Sequence, residues 1–143
     1  MAFQQSDAII IKQIKGKGRG VFARRAIAKG EVIESVPVIL MTEDEYAEGP
    51  ANSPLKDYCF RWGTNQVALA LGYGSIYNHS YRPNARYDDI GRQTKAFVAI
   101  RAIAQGEEIT INYNGHPRSR AKVWFDVVEP DRRSPAIGPN DVV

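Results

Sequence analysis

Nine residues, Arg25-Ala26-Ile27-Ala28-Lys29-Gly30-Glu31-Val32-Ile33, return in the same order as Arg101-Ala102-Ile103-Ala104-Gln105-Gly106-Glu107-Glu108-Ile109, with seven of the nine positions identical. A chain carrying this unit twice is constrained to a fold with two like strand-turn-strand pieces. Ile27 or Ile103 precedes a Gly-Glu turn and Ile33 or Ile109 follows it, so the four isoleucines are placed to meet in one core. A favoured turn used twice accounts for the repeat. A duplicated functional site is the alternative, and neither copy carries an unusual reactive group to support it.

The remaining apolar segments are short and rich in β-branched residues, as such a fold requires. Residues 8–14 read as a strand that runs into a flexible turn at Gly16, Gly18 and Gly20. Residues 31–33 and 36–41 are strand-like on either side of Pro37, which marks an edge or a bend because it cannot donate to a ladder. Thr42 with Glu45 matches a capping box and predicts a short helix through Ala47, ended by Gly49 and Pro50. Residues 67–71, 94–100 and 108–113 are again short and β-prone between Gly- and Asn-containing turns. The expectation is a mainly β domain with few short helices over residues 1–128, compact from about residue 7. Residues 129–143, with Pro130, Pro135 and Pro139, are expected to form a loose tail.

Composition narrows the function. With 143 residues there is room for one domain and none for a separate cofactor domain, and 19 basic against 16 acidic residues leave a net charge of +3, too little to name nucleic acid. No basic run with interleaved aromatics is present, so direct nucleic-acid binding is not expected. One cysteine, Cys59, with His79 and His116, cannot build a disulfide framework or a cysteine-based zinc site, so no metal is expected. Residues 1–7 are polar and the apolar stretch at 8–11 is too short for a signal core or a membrane span. That predicts a soluble, cytoplasmic protein and leaves a nuclear or host-delivered location open.

Three constellations could carry chemistry. Gly16-Lys17-Gly18-Arg19-Gly20 lets backbone approach a ligand closely, but it matches neither a phosphate-cradling loop nor a dinucleotide fingerprint, and taken alone it is better explained as a flexible turn. In Asn78-His79-Ser80-Tyr81-Arg82-Pro83-Asn84, the Asn and His side chains can hold a proline-fixed loop by bonding its backbone, or His79 can act as a base. Ser80 lies in no nucleophile elbow, which disfavours hydrolase chemistry. The third, Glu108-Ile109-Thr110-Ile111-Asn112-Tyr113, is a strand ending on a tyrosine that is either a rim residue or a catalyst.

Together and in this order, the three resemble the SET domain, a family of lysine methyltransferases that use S-adenosylmethionine. Gly18-Arg19-Gly20 is similar to the family's Gly-x-Gly motif, Asn78-His79 with Pro83-Asn84 to its Asn-His-x-x-x-Pro-Asn motif, and residues 108–113 to its Glu-Leu-Thr-x-x-Tyr motif, over about residues 8–115. The resemblance implies a fold of small curved β-sheets in which the segment ending at Tyr113 is threaded against the Asn78 loop as a pseudoknot. It implies Tyr113 as the catalytic residue, with S-adenosylmethionine held by Gly18, Arg19, Gly20, Asn78, His79, Tyr113 and Trp124. It implies a substrate-lysine channel with Tyr58, Tyr77, Ile111 and Phe125 as candidates, although Tyr58, Tyr77, Trp124 and Phe125 could also be packing residues.

The zinc-binding cysteine clusters that flank many SET domains are absent, so Trp124 and Phe125 are the aromatics left to close the site, as in short bacterial or viral examples. Ile111 stands where many relatives have Phe or Tyr, a site linked to the number of methyl groups added, and without a hydroxyl it predicts more than one. The expected substrate is a basic protein such as a histone or histone-like tail, because Glu43, Asp44, Glu45, Glu48 and Asp57 make residues 43–62 acidic. A solvated acidic face explains those residues as well. Small relatives can pair as homodimers. A catalytically silent SET-like module that binds a protein partner is the alternative function.

Overall fold

Isoleucines at 9, 10, 11 and 14 make the first segment β-prone, and the glycines after it let the chain double back. In the computed structural model, which describes residues 3–130, β1 (Ile9–Ile14) pairs antiparallel with β2 (Gly18–Ala23), from Ile9 opposite Ala23 to Ile14 opposite Gly18. The expected flexible turn is therefore only its first part, since Gly18 and Gly20 belong to a strand. Gly16 and Gly18 hold φ values of 84° and 89°, which L side chains rarely adopt.

Seven further strands follow: β3 (Val32–Thr42), β4 (Cys59–Trp62), β5 (Gln66–Ala70), β6 (Asn78–His79), β7 (Ala85–Ile90), β8 (Thr94–Ala99) and β9 (Glu108–Ile111). They form two sheets, ordered β1-β2-β9-β6 and β4-β5-β3-β8-β7. Pro37 does not lie on an edge strand. The first half of β3 pairs with β8 as far as Pro37 opposite Thr94, and the second half pairs with β5 from Val38 onward, so the proline stands where the central strand exchanges one partner for the other.

The capping box forms as its sequence predicts: the Glu45 amide donates to Thr42 Oγ1 at 3.1 Å and the Thr42 amide to Glu45 Oε1 at 2.8 Å, opening α1 (Glu43–Glu48). A 3₁₀ turn over Pro54–Asp57, capped by Ser53, was not expected.

The two repeat copies interlock. Gly30 and Gly106 both adopt φ of 85°, and Ile27 and Ile103 exchange both backbone hydrogen bonds, at 2.8 and 2.9 Å. Each turn also pairs with the residue that leads into the other copy: Gly30 and Glu31 with Ala99, Gly106 and Glu107 with Ala23. Ile27, Ile33, Ile103 and Ile109 all enter one core with Val21, Tyr77 and Phe97. This is the shared core the repeat predicts, and its physical cause is mutual turn pairing.

The first sheet holds the unusual element. β6 runs parallel to β9, with Asn78 opposite Thr110 and His79 opposite Ile111. The loop after β6 fastens β9 along its length: Asn84 Nδ2 donates to the Glu108 carbonyl at 2.8 Å, Asn84 Oδ1 accepts from the Thr110 amide at 2.9 Å, and the Ser80 amide donates to the Ile111 carbonyl at 2.9 Å. Asn84 is wholly buried, so these bonds satisfy an amide that would otherwise be costly there. Apart from its first two residues, the expected tail at 129–143 lies outside the described residues.

Candidate active site

β9 delivers Tyr113 just past its end, and several groups hold it there. The Tyr113 amide donates to His79 Nδ1 at 2.9 Å, its hydroxyl donates to the Tyr77 carbonyl at 2.6 Å, and the Tyr87 hydroxyl donates to the Tyr113 carbonyl at 3.4 Å. Burial, more than the nearby Tyr58, Glu108 and Tyr87, pushes the Tyr113 phenol far above its ordinary value. Burial likewise lowers the basicity of His79, with Glu129 opposing weakly. Because Nδ1 accepts from an amide, the proton of the neutral ring resides on Nε2, which is buried without a hydrogen-bond partner among the described residues. His79 is thus a brace for the Tyr113 backbone, the structural role its motif allowed.

The C-terminal aromatics return to this point. Asn112 Nδ2 donates to the Ser119 carbonyl at 2.8 Å and Asn114 Nδ2 to the Ala121 carbonyl at 2.7 Å, which reels the chain back. Trp124 then stacks on Tyr113 at 6.0 Å, and Phe125 meets the edges of both Tyr113 and His79, at 5.9 and 6.2 Å.

Tyr113 and Trp124 line a cavity of 530 Å³ with Tyr58, Phe60, Tyr77, Tyr87, Asp57 and Asp89 among its other walls. Tyr58 is 39% exposed and lines this cavity. The Tyr77 ring is core: it is fully buried, stacks on Phe97 at 4.4 Å and donates to Glu34 Oε1 at 2.9 Å, and its carbonyl receives the Tyr113 hydroxyl. Ile111 is fully buried in the core, and neither it nor Phe125 is among the residues lining the cavity. Phe60, Tyr87 and Asp89 were not foreseen. The signal was present in part, because Tyr87 and Asp89 are two apart on β7 and so share a face.

The glycine motif adjoins this site through Asn78. Asn78 Nδ2 donates to the Arg19 carbonyl and to Glu108 Oε2, both at 2.8 Å, and Lys17 Nζ lies 3.0 Å from Glu108 Oε1. A Cβ on Gly20 would stand 2.7 Å from Glu108 Oε2 and 2.9 Å from Asn78 Nδ2, so this close approach requires glycine. A Cβ on Gly18 would meet nothing within 4 Å. β9 pairs with β2 only at Val21 and Phe22, which leaves the Gly18–Gly20 edge to Asn78 alone among strand partners in the described residues. An open glycine edge flanked by an amide side chain and a buried ion pair suits the amino-acid end of a small zwitterionic cofactor. Among the described residues no group of three or more His, Cys, Asp or Glu could hold a metal ion, and no helix is long and apolar enough to cross a membrane.

The SET domain family model matches residues 18–114. The chain is 33% identical over 134 residues to a fission yeast (Schizosaccharomyces pombe) histone-lysine N-methyltransferase specific for H3 lysine 37, covering 92% of this chain and 84% of that protein. It is 29% identical over 139 residues to the zebrafish (Danio rerio) N-lysine methyltransferase KMT5A-A, covering 83% of this chain and 39% of that one. A crystal structure from Plasmodium falciparum, of a protein described as a histone methyltransferase, superposes with a TM-score of 0.63 at 35% identity, over 77% of this chain and 94% of that one. Motif order, the parallel β6–β9 pairing beside Tyr113 and these likenesses agree: the chain belongs to the SET domain family and is a protein-lysine methyltransferase.

Proposed function

We propose that this enzyme takes its methyl group from S-adenosylmethionine and places it on a lysine of a basic protein, a histone tail being the leading class. The observation that carries the reading is Tyr113, whose hydroxyl is fixed on the Tyr77 carbonyl in the wall of an aromatic cavity, while its own strand reaches the glycine edge through Glu108. When bound, S-adenosylmethionine supplies an electrophilic methyl group, and its transfer to an amine is an in-line displacement. Backbone groups of Gly18, Arg19 and Gly20 would hold its amino-acid end, Asn78 and His79 would hold it from the opposite side, and Trp124 would cover it.

Tyr113 is a phenol at neutral pH, and burial pushes its pKa further up, so it does not serve as a base. Its proton is committed to Tyr77, which leaves the oxygen lone pairs to face the methyl group. The substrate amine, with an ordinary pKa of about 10.4, loses its proton to solvent before attack. Tyr58, Phe60 and Tyr87 would line the alkyl stem of the lysine. Asp57, in the cavity wall, and the acidic α1 suit a basic peptide. A histone substrate would place the chain with chromatin rather than in the cytoplasm.

The test is transfer of labelled methyl to recombinant histone H3 and to a cell lysate, with intact-mass reading of the product. Tyr113→Phe should lower turnover roughly 10²-fold or more while leaving S-adenosylmethionine affinity within about twofold. Retained turnover removes Tyr113 from its role, and a wild-type chain with no saturable cofactor binding supports the silent-module alternative.

A further inference from the structure

Lys95 belongs to none of the three motifs, yet it is wholly buried on β8. Its Nζ lies 2.5 Å from Asp89 Oδ1, the residue opposite it on β7, and 4.4, 4.5 and 5.5 Å from the ring centres of Phe60, Tyr87 and Trp62. Three of these partners, Asp89, Phe60 and Tyr87, line the cavity that contains Tyr113, so the ammonium is set into the wall a substrate lysine would meet. A lone carboxylate in such a wall favours the protonated form of an incoming lysine, whereas methyl transfer needs the neutral amine. We propose that Lys95 is a positioning residue that acts through Asp89: it neutralises that carboxylate so that the channel does not hold its substrate lysine as an ammonium.

The surrounding charges support the assignment. On β7, Asp88 is engaged by Arg86 at 3.2 Å, and on β4, Arg61 is engaged by Glu43 at 3.0 Å. Burial pushes up the Cys59 thiol of β4, the Tyr87 phenol, to about 12, and the Tyr113 phenol further, so all three stay neutral. Asp57 and Tyr58 approach from the 3₁₀ segment, and Glu34 of β3 is directed to the Tyr77 hydroxyl and the Tyr73 amide. Of the two carboxylates in the cavity wall, Asp57 and Asp89, the second has a cation buried behind it. Burial lowers the Lys95 pKa, and the hydrogen bond and charge of Asp89, with the charge of Asp88, oppose that.

The inference rests on the methyl-transfer reading, and the experiment separates the two. It measures the pH dependence of kcat, which reports groups in the enzyme–substrate complex, with the H3 or lysate protein modified in the assay above. Lys95→Met leaves Asp89 uncompensated, so the rising limb should move to higher pH by roughly one unit. Lys95→Met combined with Asp89→Asn should return it to the wild-type position, which a loss of packing would not do. If Lys95→Met does not fold, Lys95→Gln replaces it in both variants. A limb that stays in place in the single variant, or stays displaced in the double, overturns the proposal. Wild-type protein that methylates no lysine in H3 or lysate overturns the underlying reading instead.

Discussion

The two copies of the repeat share a turn and differ in consequence. Residues 25–33 lead into β3, and residues 101–109 lead into β9. The glycines adopt the same φ and the isoleucines enter the same core, so the scaffold is the same. The copies differ at positions 29 and 105 and at 32 and 108. Val32 is 54% exposed, whereas Glu108 is 6% exposed and bonds both Lys17 and Asn78. The shared glutamates diverge as well: Glu31 closes on its own turn through the Ala28 amide, and Glu107 accepts from Asn84. One turn is scaffold alone; the other is the same scaffold with a buried carboxylate that joins it to the glycine edge.

This contrast can be broken at three points. Ile27→Ala and Ile103→Ala should each cost about 4 kcal/mol in denaturant unfolding, because both are 1% exposed in the same core and each leaves a cavity. Costs that differ severalfold would end the equivalence of the copies. Glu108→Val, which gives the second copy the residue of the first, should cost about 3 kcal/mol by stranding Lys17, and should abolish saturable cofactor binding in calorimetry. Val32→Glu, the reverse exchange, should stay within about 0.5 kcal/mol because its site is exposed. A neutral Glu108→Val would show that the buried carboxylate adds nothing to the turn.

A further prediction concerns acid. Burial holds the folded-state pKa of His79 below its unfolded value, so the unfolded chain binds the extra proton first. The stability from neutral His79 is therefore complete above pH of about 6.5 and declines as pH falls below it, by at most about 1.4 kcal/mol per pH unit. Unfolding followed from about pH 7 to about pH 5 should show a steeper decline for wild type than for His79→Gln. Parallel curves would remove His79 as the titrating brace of Tyr113.

Much of this was legible in the sequence, for identifiable reasons. The capping box at Thr42 and the isoleucines of the repeat are local signals, and they formed as predicted. Tyr113, Asn78 and His79 came from motif order, since nothing in periodicity says that β6 would lie parallel to β9. β7 was missed because Arg86, Asp88 and Asp89 read as loop, and it is tolerated as a strand because it pairs on one side only, at the edge of its sheet. β2 was read as a turn because of its glycines. Lys95 was invisible because its partners come from β4 and β7, and no local pattern records rings that meet only after the sheet has formed.

The interlock of the copies also governs when the molecule can form. The bridge between Ile27 and Ile103 joins residues 76 apart, and Ala23 waits for Gly106 and Glu107 in the same way. Contacts this distant close slowly, since the chain loses loop entropy before any of them rewards it. During synthesis the first copy would leave the ribosome with both edges of its turn unsatisfied and stay so until the second emerges. The contacts that join the two copies are thus among the latest the nascent chain can complete.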